Sequence, residues 1–380
     1  MDTFHLKSRI YAGKQSIAHL RTLSGSSACI ITDSVMEQLG YLGQATELLR
    51  EAGMQTSAFL DVQPDPDTSV VAAGVEAYRA SGADVLVALG GGSVIDAAKA
   101  ILYTVWKMDG DAFRKPQFIA IPSTAGTGSE VTDFSVITVD ENKIVILDEL
   151  IAPDVAILDA DLLKNLPNHI VVDTGIDVLV HALEAYVSTK ATDFTDALAE
   201  KAVQLVFAHL PTLYQNPADD EARDRLMNAS CIAGIAFTNA YLGINHSLAH
   251  AFGARFHIPH GRSNAMLMLP VMDYNAWLSG GMGGDGGERV RERYAHLAKT
   301  LGLPARTARE GTVSLMDAVR DLKWKLDIPA SLRELGIAQD AFTAELSDMA
   351  DAALADRCTP SAPRQPTKAE LVAIYEEAYA

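Results

Sequence analysis

Hydrophobic periodicity changes character once along this chain, near residue 160. Before that point, short apolar runs alternate with helical patterns. Ala28-Cys29-Ile30-Ile31-Thr32 reads as a buried strand ending at Asp33, and helix formers follow over Glu47 to Ala52. Ser57-Ala58-Phe59-Leu60 is a second strand, and Asp67 caps an amphipathic helix running to Ser81. Asp84 to Leu89 is a third strand, leading through Gly90-Gly91-Gly92 into a helix over Ser93 to Tyr103; Phe118 to Ile121 is a fourth. This alternation predicts an open, mostly parallel sheet with helices on both faces and ligands at the carboxyl ends of its strands. Strand patterns end at Val155 to Leu158. From Asp161 onward the patterns are helical: Asp173 to Val187, Asp193 to Phe207, Glu221 to Phe237, Tyr241 to Ala254, Glu288 to Leu301, Val313 to Leu326 and Ala338 to Leu354. At 380 residues the chain exceeds one ordinary domain, so an α/β domain over 1–160 and an all-α domain over 161–380 are expected.

An apolar content of 48% against 21% charged residues supports large cores and excludes global disorder. Acidic residues outnumber basic ones 49 to 31, a net charge of −18, and Lys and Arg never form a run. A nucleic-acid partner, which needs a basic surface, is not expected. Cys29, Cys231 and Cys358 are scattered and form no CxxC pair, so neither a disulfide scaffold nor a zinc ribbon is encoded. The N-terminus lacks the basic and apolar regions of a signal peptide, which makes the cytoplasm the default compartment. Leu226 to Ala254 carries no charged side chain, yet Asn228, Ser230, Thr238, Asn239, Asn245, His246, Ser247 and His250 make a lipid-facing span costly. It reads as buried helix, and no membrane partner is expected. Ser279 to Gly287 lacks a preceding strand and a Gly-Lys-Ser/Thr ending, and reads as a flexible loop.

Two small-residue segments follow strands. Gly90-Gly91-Gly92-Ser93 sits where a buried strand meets a helix N-terminus, where backbone N–H groups and the helix dipole favour a phosphate. A tight strand–helix turn explains the glycines equally well, and the spacing is not GxGxxG. Pro122-Ser123-Thr124-Ala125-Gly126-Thr127-Gly128-Ser129-Glu130 shifts the balance: a run so short of large side chains suits a loop pressed against a ligand's sugar and phosphate groups. Asp33 can accept hydrogen bonds from a ribose diol and repel a 2′-phosphate; the competing reading is a helix cap before Val35. A bound dinucleotide is the leading expectation.

The chain has ten histidines, and His246, His250, His257 and His260 fall within fifteen residues. His246 and His250 share one helix face, and His260, between Pro259 and Gly261, is placed just past that helix. Upstream, Asp177 and His181 form a second i, i+4 pair on an otherwise apolar helix, where an unpartnered carboxylate would be heavily penalised. One aspartate and three histidines suit iron(II) or zinc. Neither pair is HExxH, so a metalloprotease lacks its glutamate base. His257 is expected at the surface or behind the site.

At these residues the chain resembles the iron-containing (group III) alcohol dehydrogenase family. The shared markers are GGGSVIDAAKA at 90–100, IPSTAGTGSEVT at 121–132, TGIDVLVHALEAYVS at 174–188 and GINHSLAHAFGARFHIPHG at 243–261. The resemblance implies a Rossmann-like NAD(H)-binding domain, then a helical domain holding iron(II), with zinc as the alternative ion. It places the metal on Asp177, His181, His246 and His260, and the extra histidine assigned to proton transfer on His250. It puts the pyrophosphate turn on Gly91, Gly92 and Ser93, and the second cofactor loop on Ser123 and Thr124. Gly90, Asp96 and Thr127 complete the expected cofactor set, with Asp33 setting NAD preference and Lys143 as a further contact. The chain departs from the family at Ser123-Thr124 (usually Thr-Thr), around the short segment Asp140 to Lys143, at Pro64-Asp65-Pro66 and at Ala362-Pro363-Arg364. Within the family, residues 191–201 look most like the 1-propanol dehydrogenases of propanediol utilisation. The implied activity is NAD-dependent interconversion of short-chain primary alcohols and aldehydes. A homodimer or larger homo-oligomer is implied, along with association with a propanediol-utilisation assembly inside a bacterial microcompartment. A zinc-type glycerol or diol dehydrogenase on the same scaffold is the alternative, with dehydroquinate-synthase chemistry and a non-enzymatic nucleotide sensor behind it.

Overall fold

A computed structural model describes residues 3–140, 142–278 and 287–380, without the side chain of Asn142. The expected loop at 279–287 lies outside the described residues except for Gly287. Two compact units emerge, one of residues 5–166 with 223–234, the other chiefly of 167–222 and 235–380.

The first unit is built on a six-stranded sheet of order β1-β8-β5-β4-β2-β3, every pair parallel: β1 (Arg9–Ala12), β2 (Ser27–Ile31), β3 (Gln55–Phe59), β4 (Val85–Gly90), β5 (Gln117–Pro122) and β8 (Val155–Leu158). Every residue of β4 is buried, as a strand covered on both faces must be. The two-residue period then divides each strand between two cores. Cys29, Ile31, Leu86, Ala88, Phe118 and Ala120 pack with α3 (Thr68–Ser81) and α4 (Gly92–Asp109). Ala28, Ile30, Val85, Val87, Leu89, Ile119, Ile121 and Ile157 face the other way with α2 (Tyr41–Glu51). Asp67 caps α3 by accepting from Ser69 and Val70 N–H.

Two parts of this unit were not legible as strands. β1 has only four residues and adds to the sheet beside β8. β6 (Phe134–Val139) and β7 (Asn142–Leu147) form a separate antiparallel hairpin, turning at Asp140 with φ 47°.

The second unit is helical. α5 (Asn168–Val187), α6 (Asp193–Gln215), α7 (Asp220–Ala240, of which 223–234 belongs to the first unit) and α8 (Ile244–Phe256) follow the expected segments, the first three with longer ends and the last starting at Ile244 instead of Tyr241. So do α10 (Glu288–Thr300), α11 (Ala308–Lys325) and α12 (Gln339–Ala355). α9 (His260–Ala276) and α13 (Lys368–Tyr379) are additional. The segment expected just past α8 is therefore a helix start: Pro259, which reads as a breaker, is the N-cap of α9, and Pro270 lies inside it. The uncharged stretch 226–254 is two helices interrupted around Tyr241, and no described helix is long and apolar enough to cross a membrane.

Glycine packing ties the second small-residue loop to the 223–234 segment. A Cβ on Gly234 would lie 2.9 Å from Gly128 Cα, and one on Gly128 would lie 2.6 Å from Gly234 Cα. Gly128 also holds φ 62°. Gly234→Ala should therefore cost about 1–3 kcal/mol by overpacking against backbone. Gly43→Ala, in α2 with nothing within 4 Å, should gain up to about 0.5–1 kcal/mol. Urea denaturation of the two variants beside the parent checks both signs.

Candidate active site

In the first unit, the carboxyl ends of β2, β4 and β5 adjoin, and this brings the expected cofactor residues to one edge of the sheet. Asp33 follows β2, Gly90 to Ser93 follow β4, and Ser123 to Thr127 follow β5. The two loops touch: Ser123 N–H donates to Gly90 O at 3.0 Å. A Cβ on Gly91 would meet the Thr124 methyl at 3.4 Å, and one on Gly92 the Thr127 methyl at 2.8 Å. Gly91 caps α4, so Gly92 and Ser93 open that helix, as an anion-binding turn requires.

Three expected cofactor residues carry bonds within the unit. Asp33 is an N-cap, its Oδ1 accepting from Val35 and Met36 N–H. Lys143 pairs with Asp65 at 2.8 Å. Asp96 accepts from Ser129 Oγ at 2.7 Å and Val136 N–H at 3.2 Å. Beside it, fully buried Lys99 donates to Ser129 O, Ser129 Oγ, Thr132 Oγ1 and Phe134 O, all within 3.0 Å. Burial pulls the Lys99 ammonium down to about 8, against Asp96, Glu130 and Asp133. α4 thus presents glycines at one end and, about one and two turns further on, clamps the tail of the second loop through Asp96 and Lys99. Lys99 was not singled out by the sequence, although a lysine on an inward helix face is the available sign.

In the second unit, α5 supplies Asp177 and His181, α8 supplies His246, and α9 supplies His260. One ligand atom from each lies within 4.8 Å of all the others. The His181 and His246 rings stack at 4.6 Å, and His260 Nε2 is 3.5 Å from Asp177 Oδ1. Burial raises the Asp177 carboxyl, against His181 and an Asn264 hydrogen bond, and it drives His246 well below the usual imidazole value. A neutral imidazole is the ligating form.

Two residues that sequence reading passed over organise this set. Glu184 Oε2 lies 2.6 Å from His246 Nδ1, while its Oε1 accepts from Asn245 N–H at 2.6 Å. That contact leaves Nε2 of His246 to face the other donors, as a carboxylate behind a metal-bound histidine does. Burial pushes Glu184 up to about 7, against backbone hydrogen bonds from Gly243, Asn245 and His246. Asn264 Nδ2 donates to Asp177 Oδ1 at 2.7 Å and lies 3.2 Å from Nε2 of both His246 and His260. An amide N–H₂ centred on three acceptors marks a place suited to positive charge, so the residues fit a divalent ion. The spacing Asp177, His181, Glu184 on one helix face could have revealed the glutamate.

His250 stands beside this group, its ring stacked on His260 at 5.3 Å, and its Nδ1 lies 2.8 Å from Asp356 Oδ2. Burial opposes ionisation of Asp356, yet the hydrogen bond and charge of His250 and the Cys358 N–H hold it well below the usual carboxylate range. His257 is exposed and ends α8 as its C-cap, with φ 53°.

Replacing the outer carboxylate tests this arrangement. Glu184→Gln should weaken metal affinity by roughly 10–100-fold without unfolding the protein, as measured by zinc or cobalt competition against a chelator.

Two family models match the chain. The iron-containing alcohol dehydrogenase family matches residues 7–160, and the Fe-containing alcohol dehydrogenase family, C-terminal, matches 171–379. The chain is 39% identical to the NADPH-dependent butanol dehydrogenase of Clostridium saccharobutylicum, over all of this chain and 98% of that protein. It is also 39% identical to the 1-propanol dehydrogenase PduQ of Salmonella typhimurium, over 98% of each. The solved iron-containing alcohol dehydrogenase of Thermococcus thioreducens superposes with a TM-score of 0.89 at 34% identity, covering 99% of both chains. With a parallel-sheet unit carrying two small-residue loops and a helical unit carrying an Asp–His₃ cluster, the chain belongs to the iron-containing alcohol dehydrogenase family and is an alcohol/aldehyde oxidoreductase.

Proposed function

We propose that the enzyme interconverts short-chain primary alcohols and aldehydes, 1-propanol and propionaldehyde among them, using NAD(H) and an iron(II) ion held by Asp177, His181, His246 and His260. The carrying observation is the convergence of one carboxylate and three imidazoles from three helices, with Glu184 and Asn264 behind them. When bound, the ion acts as a Lewis acid on the alcohol or aldehyde oxygen, and the nicotinamide accepts or supplies hydride.

The chain's own residues orient and move charge. Asp177 supplies the anionic ligand, and Glu184 fixes the orientation of the His246 ring. His250, bonded through Nδ1 to Asp356, keeps Nε2 available to take up or return the alcohol proton. In the cofactor half, residues 1–160, Gly90 to Ser93 offer backbone N–H groups and the α4 dipole to the pyrophosphate. Ser123, Thr124 and Thr127 line the adjoining loop, Asp96 holds that loop through Ser129, and Lys143 reaches the cofactor by exchanging its Asp65 partner. Residues 161–380 form the metal and substrate half. The proposed location is cytoplasmic, and similarity to PduQ 1-propanol dehydrogenases supports association with a propanediol-utilisation assembly.

NADH oxidation across short-chain aldehydes, ketones and diols, run with iron(II) and with zinc, tests the reading. The expected result is turnover of unbranched aldehydes, strongest with iron(II). Turnover confined to diols with zinc points to the glycerol dehydrogenase type, and none with any substrate overturns the proposal.

Cofactor choice has its own test. Asp33→Asn keeps an α1 (Ser34–Gln38) N-cap while removing the charge. Discrimination against NADP(H), read as the ratio of kcat/KM values, should fall by about tenfold or more.

A further inference from the structure

A second group of ligands lies beside the first. His250 on α8, with Asp356 and Cys358 just after α12, places an imidazole nitrogen, a carboxylate oxygen and a thiol sulfur within 4.8 Å of one another. The carboxylate is held by one oxygen and aimed by the other. Asp356 Oδ1 accepts from Cys358 N–H at 2.8 Å and Ser247 Oγ at 3.3 Å, while Oδ2 faces His250 Nδ1 at 2.8 Å. Ser247 is itself fixed, bonded to Gly243 O and to Thr359 Oγ1. The side chains of His250 and Asp356 keep 33% and 17% of their exposure, so an ion has a route to the cluster. A hydrogen bond that merely orients His250 accounts for two of the three groups. It gives no reason for a thiol to share the same point. Nitrogen, oxygen and sulfur together are the ligand set of zinc and its neighbours, whereas magnesium or calcium would leave the sulfur unused.

We propose that His250, Asp356 and Cys358 form a second metal site, for zinc(II)-class ions, whose occupation switches the enzyme off. The inhibitory part rests on the proton-transfer role given to His250 above. On binding, the Cys358 thiol releases its proton to solvent and the imidazole proton moves from Nδ1 to Nε2. The ion then takes the sulfur, Nδ1 and Oδ2 lone pairs. An Nε2 that already carries a proton cannot accept one from an alcohol.

Cobalt(II) separates the two sites spectroscopically, because only a thiolate ligand adds a near-ultraviolet charge-transfer band. Cys29 and Cys231 are buried in the other compact unit, so that band reports Cys358. Titrating the metal-free full-length protein with cobalt(II) should fill a thiolate-free site and then a second equivalent that brings in the band. Cys358→Ser and Cys358→Ala should lose the band and the second equivalent while keeping the first. His260→Ala should do the reverse, and a fault in the Asp–His₃ assignment would appear in that variant alone. Zinc added to the iron-loaded enzyme should slow alcohol oxidation by about tenfold or more, and both cysteine variants should escape this. Absence of the band in excess cobalt, or its survival in Cys358→Ala, overturns the second site. Zinc inhibition undiminished in the cysteine variants would mean displacement of iron from the first site, and overturns the regulatory role.

Discussion

The two most deeply buried carboxylates of one apolar helix, Asp177 and Glu184 on α5, decide how the helical unit is assembled. Asp177 and Glu184 lie seven residues apart on α5, whose other buried residues are mostly hydrophobic. A carboxyl group removed from water without partners is strongly unfavourable, so α5 is compatible with the fold only where other helices bring donors to it. α8 brings His246 and the Asn245 N–H to Glu184, and α9 brings Asn264 and His260 to Asp177. Chemistry and stability therefore come from the same contacts. The groups that would hold an ion are those that make the burial of α5 acceptable, and the Asn264 amide donates to the Asp177 carboxylate at the centre of that group.

The α/β unit meets a similar requirement with backbone. Bringing a pyrophosphate to the ends of β4 and β5 calls for exposed N–H groups and little side-chain bulk, and loops of that composition hold themselves poorly. α4 compensates from inside. Its N-terminus carries Gly91 and Gly92, and about two turns later Lys99 gathers oxygens from the end of the second loop and the segment after it. The lysine can remain buried because each of these oxygens replaces a lost hydration contact. Gly128 against Gly234 secures the other side at a backbone separation that no side chain would permit.

Much of this was readable from residue order, and the failures have physical causes. The central strands were legible because strands covered on both faces must be continuously apolar. β1 was not, since an edge strand of four residues needs no such run. α9 was hidden by Pro259 and Pro270, the first acting as its N-cap instead of a break, the second tolerated within it. His260 was accordingly expected only just past α8, among the ligands but on no helix of its own. Glu184, Asn264 and Asp356 escaped notice because each acts through another residue. Asp356 reaches His250 from 106 positions away, a separation that no local spacing rule covers, and Asn264 stands four residues after His260, a spacing that carries meaning only once α9 is known to be a helix.

Sequence by itself determined the two architectures, the small-residue loops and the chemical identity of the four proposed ligands, because periodicity, side-chain volume and donor type are properties of residues in order. Only the tertiary structure decided which nitrogen of His246 faces the donors, which carboxylate restrains which ring, and that a lone cysteine stands within ligand distance of His250 and Asp356. Those outcomes depend on directions in space between segments far apart in the chain. Packing of α5, α8, α9 and the turn after α12 sets them.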